Sequence, residues 1–383
     1  MTSRERLLTA LKHKEPDRLP FDLGGSILTG ITTTAYKNLR AHMGLSPLRQ
    51  MRIMDIVQQL AFVDEDMARK LETDVRGIFL KDPSDWSLKI EEAGKYLRFT
   101  DQWGVGWQMP RQGGYYYDMY HHPLKGIRAD DVDKFPWPNP LDPARVKGLR
   151  EEAMKIREDG FAVMMGNPFG AGVFEMVLWL QGFEDGFANL IADKKLTHKL
   201  LDKMMDLKLK FWDLYLTEVG EYVDVVIDGD DVGIQETPMI SREMYREYIL
   251  PRVKTIYSFI KKKAPNVFIF FHSCGSIYDI LPDILETGVD ILNPVQVSAA
   301  KMDTAVLKKE FGDRLVFWGG GVDTQEILPQ GTPAEVKEEV KRRIGDLAPG
   351  GGFVFNTVHN IQHDVPPQNI MAMWEAVMEY GKY

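Results

Sequence analysis

Two hydrophobic patterns alternate along this chain. Short apolar runs rich in β-branched and aromatic residues are followed by longer segments in which apolar residues recur every three or four positions. The first pattern suits strands buried on both faces, the second amphipathic helices. Thr2 and Glu5 have capping-box spacing and precede Leu7, Leu8 and Leu11 on one helical face. Arg18 to Leu23 reads as a strand that ends at Gly24 and Gly25. Between Ile53 and Leu71 the spacing of Ile53, Ile56, Val57, Leu60, Val63 and Met67 predicts a helix. Further strands are expected at Val75–Leu80, Phe161–Gly166, Val223–Ile227, Val267–Phe271, Asp290–Asn293, Leu315–Trp318 and Phe353–Asn356. The intervening helices include one from Pro143 to about Arg157, two across Gly172–Gly220, one over Ser241–Lys263 and a closing helix over Pro367–Tyr380.

Strands that alternate with helices imply parallel pairing, and eight such units fit a (β/α)8 TIM-type barrel of the α/β class. An open doubly wound sheet is the competitor, but the glycine-rich dinucleotide turn is missing after the first strand. The rhythm breaks between Trp86 and Trp137, where Gly, Trp, Tyr and Pro abound without a helical period. This stretch reads as antiparallel hairpins inserted into a single barrel domain spanning 1–383, and long excursions of this kind usually cover a site.

Composition narrows the function. A net charge of −9 argues against nucleic acid as the main partner, because phosphate binding needs a basic face. No run approaches the ~18 apolar residues of a membrane span. With a charged N-terminus and one cysteine, the expected compartment is the cytoplasm.

That cysteine is the most informative residue. Cys274 stands in Phe271-His272-Ser273-Cys274-Gly275, at the end of an apolar strand. Side chains two apart share one face of an extended backbone, so an imidazole and a thiol point the same way. The pair could ligate zinc with a third residue from another strand, with His359 and His363 the first candidates and Asp230 or Asp231 behind them. It could instead supply a nucleophile and base, although neither side chain would orient the other as a triad requires, or it could be satisfied core. Asp228, Asp230 and Asp231 follow the fourth strand and could orient substrate, ligate metal, move a proton, or form a solvated loop. Asn167, Asn293 and Gln296 at other strand ends, with Trp103 and Trp107 in the insertion, are the candidate substrate contacts.

Glu15-Pro16-Asp17-Arg18-Leu19-Pro20 near the start and Phe355-Asn356-Thr357-Val358-His359-Asn360-Ile361 with Pro366-Pro367-Gln368-Asn369 near the end resemble the uroporphyrinogen decarboxylase superfamily. So does Gly229-Asp230-Asp231-Val232-Gly233, and the likeness extends over nearly the whole chain. The resemblance implies a (β/α)8 barrel. True decarboxylases carry an arginine-rich segment after the first strand to receive substrate carboxylates, where this chain has Asp22-Leu23-Gly24-Gly25-Ser26. The corrinoid-linked methyltransferase branch carries a zinc-binding His-x-Cys after the fifth strand, which His272-Ser273-Cys274 matches. Its third ligand is a cysteine in the last strand's loop, where this chain has His359.

The resemblance therefore implies a zinc-dependent methyltransferase, with His272, Cys274 and His359 on the metal and Asp230 or Asp231 orienting substrate or moving a proton. It also implies a corrinoid supplied by a partner protein and a small-molecule methyl donor or acceptor; a homodimer is compatible with the sequence. The enzyme alternative is a metal-free decarboxylase, and the non-enzyme alternative is a barrel that only binds a tetrapyrrole or corrinoid.

Overall fold

The computed structural model describes residues 1–383. Its strands are β1 (Ile53–Asp55), β2 (Leu60–Ala61), β3 (Val75–Ile78), β4 (Glu91–Ala93), β5 (Tyr96–Thr100), β6 (Gly106–Pro110), β7 (Asp118–His121), β8 (Ala162–Met165), β9 (Val225–Gly229), β10 (Phe268–His272), β11 (Ile291–Asn293), β12 (Val316–Trp318) and β13 (Phe353–Val354). Seven of them form one parallel sheet in the order β13-β12-β11-β10-β9-β8-β3. The first expected strand closes it. Asp22 N donates to Phe355 O at 3.0 Å and Phe355 N to Pro20 O at 2.8 Å, while Asp74 N donates to Phe21 O at 2.8 Å. Segment 18–23 thus bridges both edges of the sheet and completes a (β/α)8 barrel. Pro20 has no N–H to give, so the eighth member pairs through isolated bridges and not a continuous ladder.

The barrel lumen and its outer shell are separate cores. Inside, 12 buried apolar residues fill the lumen, with Leu7 and Leu11 of the Ser3–Leu11 helix plugging the floor. Outside, 87 form one continuous shell beneath the helices, which is where most apolar burial lies. Along β10 the lumen residue is Phe270 and the next one up is His272, because strand side chains alternate. Apolar filling therefore stops one layer below His272.

The stretch at 53–71 is not a helix. Asp55 accepts Gln58 N at 2.6 Å and Gln59 takes φ +56°, so the chain folds back and Ile53 pairs with Ala61 as a β1–β2 ribbon; only Glu65–Lys70 is helical. The helix-like spacing comes from a ribbon whose Ile53, Met54, Ile56 and Val57 face a cavity. Between Gly172 and Gly220 there are three helices instead of two, Val173–Gln181, Phe183–Ala192 and Lys194–Val219, parted at Gly182 and Asp193. The 86–137 stretch folds as the four-stranded antiparallel sheet β4-β5-β6-β7. Within it the Leu88–Ile90 and Tyr115–Tyr117 runs lie outside the strands. No helix is long and apolar enough to cross a membrane.

Candidate metal centre and mouth cavity

β9, β10 and β11 lie side by side, with Gly229 level with His272 and His272 level with Asn293. The chain leaves β10 through Ser273 and Cys274 and turns at Gly275, whose φ is +87°. A side chain there would also collide with the Gly233 backbone, 2.5 Å from the Cβ position. Gln296 Oε1 accepts the Gly275 N–H at 2.7 Å and Asp231 Oδ1 accepts the Cys274 N–H at 2.8 Å, so the Cys274 loop is pinned from two neighbouring strand ends.

The His272 ring is equally fixed. Its Nδ1 lies 2.6 Å from Asn293 Oδ1, and Asn293 Nδ2 donates to Trp318 O at 2.7 Å, which sets the amide orientation. A carbonyl oxygen only accepts, so Nδ1 carries the proton and Nε2 presents its lone pair. That Nε2 is 3.6 Å from Cys274 Sγ and 3.6 Å from Asp231 Oδ1. Ligand atoms of Asp231, His272 and Cys274 all lie within 4.8 Å of one another. A tetrahedral zinc with ordinary bond lengths would hold its N and S ligands ~3.6 Å apart. The donor set also fits a cation on electrostatic grounds. Burial pushes the Cys274 thiol well up, and the Asp231 and Glu175 carboxyls beside it push it further. A divalent ion among these groups reverses that effect.

Above the triplet opens a cavity of about 750 Å³. His359 lines it with Asp231, His272 and Cys274 but stands outside the triplet. Burial and the neighbouring His272 lower the His359 pKa. Its Nδ1 has Gln362 Nε2 at 3.5 Å.

Asp230 and Asp231 part company. Asp231 faces the cavity; Asp230 is buried on the other side of the backbone and accepts Phe174 N at 2.8 Å and Glu175 N at 2.7 Å. It thereby caps the Val173–Gln181 helix, whose own N-cap residue, Gly172, has no side chain to do so; a Cβ on Gly172 would sit 2.1 Å from Asp230 Cγ. Burial raises the Asp230 carboxyl to about 7 against the pull of those two amides. The candidate catalytic role thus reduces in geometry to Asp231, with Asp230 a support for Glu175.

Among the candidate substrate contacts, Trp103 and Trp107 line the cavity. Asn167 lines a smaller chamber beside it, and its amide donates to Ala171 O and Asp228. Asn293 and Gln296 are not on the wall: one orients His272 and the other holds Gly275. His363 also lies off the wall, stacked on Tyr115 at 3.5 Å between ring centroids.

Sequence reasoning missed Glu175, Asp55, Asp82, Asp101, Trp86 and Trp179, all on the cavity wall. Glu175 carried a readable signal. It is the only charged residue of a helix that is otherwise apolar up to Gln181, and Trp179 stands one turn later on the same side. Burial and the Asp231 and Asp230 charges raise its carboxyl well above the usual range.

The Uroporphyrinogen decarboxylase (URO-D) family profile matches residues 119–380. The chain belongs to that family. Curated relatives include the uroporphyrinogen decarboxylase of Chlorobium phaeobacteroides, 30% identical over 199 residues, or 50% of this chain and 51% of that protein. The chain thus spans about half the length of the first curated relatives it matches. The uroporphyrinogen decarboxylase of Alkalilimnicola ehrlichii is 22% identical over 97% of this chain and 93% of its own. Among solved structures, a methyltransferase from Methanosarcina mazei superposes with a TM-score of 0.64 at 18% identity, covering 99% of both chains. At that identity the likeness establishes the URO-D barrel fold and leaves the chemistry to the site.

Proposed function

We propose that this URO-D family member is a zinc-dependent methyltransferase that works with a corrinoid carried by a separate protein. The observation that carries the reading is the convergence of Asp231, His272 and Cys274, with Nε2 of His272 left free by Asn293. His272 and Cys274 hold the metal in this reading, with Asp231 as the third donor and His359 on the same wall as the alternative third donor. Zinc here would lower the pKa of a bound thiol or polarise a departing heteroatom. The chain's own residues do the rest: Asn293 fixes the imidazole, Gln296 fixes the Cys274 loop, and the aromatic walls exclude water.

The chemistry of the wall disfavours the metal-free decarboxylase alternative for a polyanionic substrate. No lysine or arginine lines the cavity, while Asp55, Asp82, Asp101, Glu175 and Asp231 do. A substrate bearing many carboxylates would find carboxyls and no lysine or arginine to receive them.

Elemental analysis of protein purified without chelator tests the reading. About one zinc per chain is expected, retained through dialysis, and lost in Cys274→Ser and His272→Ala with unchanged circular dichroism. Wild-type protein that takes up no zinc on reconstitution would sink it. His359→Ala separates the two third-donor roles: retention of zinc assigns Asp231, loss assigns His359.

A further inference from the structure

We infer that the mouth cavity binds a methylated onium cation, a group with full positive charge and no N–H, of which a trimethylammonium headgroup is the plain case. Taken as the methyl donor, this cation rests on the methyltransferase reading above; as a bound ligand it does not.

Four of the eight tryptophans in the chain, Trp86, Trp103, Trp107 and Trp179, face this one cavity. Two pairs of rings meet at steep angles, while Trp107 also stacks on Phe99 at 15°. Trp107 and Trp179 stand at 85° with centroids 5.3 Å apart, and Trp103 and Phe169 at 67° and 4.8 Å. Perpendicular rings form corners, and a corner presents more than one π face to a rounded guest. Lys208 lies over the Phe169 ring at 5.2 Å, but no lysine or arginine lies over any of the four tryptophans.

The wall holds five carboxyls and no lysine or arginine. Asp55, Asp82, Asp101 and Glu175 make no ion pair, and the one partner of Asp231 is His272. Several of these acids already use their oxygens on the protein itself. Asp101 accepts Trp103 N, Val105 N and Trp107 Nε1 at 2.8, 3.0 and 2.9 Å, and Asp55 accepts Gln58 N. They supply field more than free hydrogen-bond acceptors. A primary ammonium or guanidinium would bring N–H groups with few acceptors to meet them, and a burial penalty for each one unmet. A peralkylated onium has none to satisfy, takes its attraction from π faces and field, and buries its methyls against carbon. Ammonium and sulfonium centres share this chemistry.

Titration of the full-length chain by tryptophan fluorescence and calorimetry tests this, with choline, trimethylsulfonium and the neutral choline isostere 3,3-dimethylbutan-1-ol as probes. Saturable binding of an onium at least ~10-fold tighter than the isostere is expected, and the relative affinities of choline and trimethylsulfonium separate nitrogen from sulfur. Trp179→Leu, on a partly exposed helix face, should weaken onium binding ~10-fold and leave isostere binding unchanged. Equal affinity for charged and neutral probes, or no binding of either onium, overturns the inference. The two readings fail separately: zinc uptake with methyl transfer from a neutral donor and no onium binding removes only this one. Onium binding by a protein that takes up no zinc removes only the other.

Discussion

The two ends of this barrel treat buried acid in opposite ways. At the floor, the aspartate before each of three strands is matched with a base. Asp74, before β3, takes Arg6 at 2.7 Å and Arg18 at 2.8 Å; Asp224, before β9, takes Arg4 at 2.9 Å; Asp290, before β11, takes Lys261 at 2.6 Å. At the mouth, four acids have no basic partner and a fifth has only His272. The pKa directions follow. At the mouth, burial raises the carboxyls of Asp55, Asp82, Asp101 and Glu175. A paired acid stabilises a fold; an unpaired one in a cleft is a cost that function can retain. The contrast separates the end that holds the barrel closed from the end that receives a ligand.

The strongest way to break the contrast is to unpair the floor. Asp74 is fully buried and accepts two arginines and Phe21 N at 2.9 Å. Asp74→Ala strands the Phe21 N–H and takes the shared carboxylate from two guanidiniums, leaving Arg6 with the exposed Asp17 and Arg18 with Glu72 at 3.7 Å. Loss of one member of a buried pair typically costs ~3–5 kcal/mol, and urea unfolding should read a loss of that size. A loss under ~1 kcal/mol would place this network with ordinary surface pairs and erase the distinction.

Asp22 lies between the two ends and tests the sign of the mouth's electrostatics. It is buried in the barrel, accepts Gly25 N at 3.0 Å and Trp318 Nε1 at 3.1 Å, and has no ion pair; burial raises its carboxyl to about 6. A carboxyl raised in the fold binds its proton more tightly folded than unfolded. Its contribution is therefore fully present below about pH 4 and is lost as pH rises through about 6. Two pKa units correspond to ~3 kcal/mol. Asp22→Asn should gain on wild type by up to ~3 kcal/mol between pH 4 and pH 7 in paired urea titrations. A wild-type-minus-variant difference that stays flat over that range would show the carboxyl to be ionised at no cost.

How much of this was readable in the sequence depends on which forces set each part. The barrel strands were legible because both faces are buried, which leaves unbroken apolar runs such as Val267–Phe271. Cys274 and His272 were legible as a pair because strand geometry repeats every two residues. The 53–71 ribbon was not, since its apolar residues line a cavity at intervals that mimic a helix, and the Asp55–Gln58 turn carries no glycine or proline to mark it. The roles of Asn293 and Gln296 depend on the level of one strand against its neighbour, which short-range pattern does not encode. The mouth acids come from the end of the β1–β2 ribbon strand (Asp55), a loop (Asp82) and the insertion (Asp101), where charged residues ordinarily mean solvent.

The finest test of the mouth concerns the His272–Asn293 contact. On the zinc reading the chain must offer Nε2 with its lone pair outward, and the single group that decides this is the Asn293 carbonyl at 2.6 Å from Nδ1. Asn293→Ala keeps His272, Cys274 and Asp231 but frees the ring to rotate and to change tautomer. Loss of such a supporting partner typically costs ~10–100-fold in metal affinity, or about 1.4–2.7 kcal/mol, less than either effect above. Asn293→Asp restores an acceptor for Nδ1 and forfeits only the donation to Trp318 O, so it should recover most of the affinity in a competition titration against a chelator. A structural defect alone would weaken both variants alike and would appear in their unfolding curves. A selective loss in the alanine variant, with unfolding unchanged, ties the mouth's metal chemistry to one amide on the neighbouring strand.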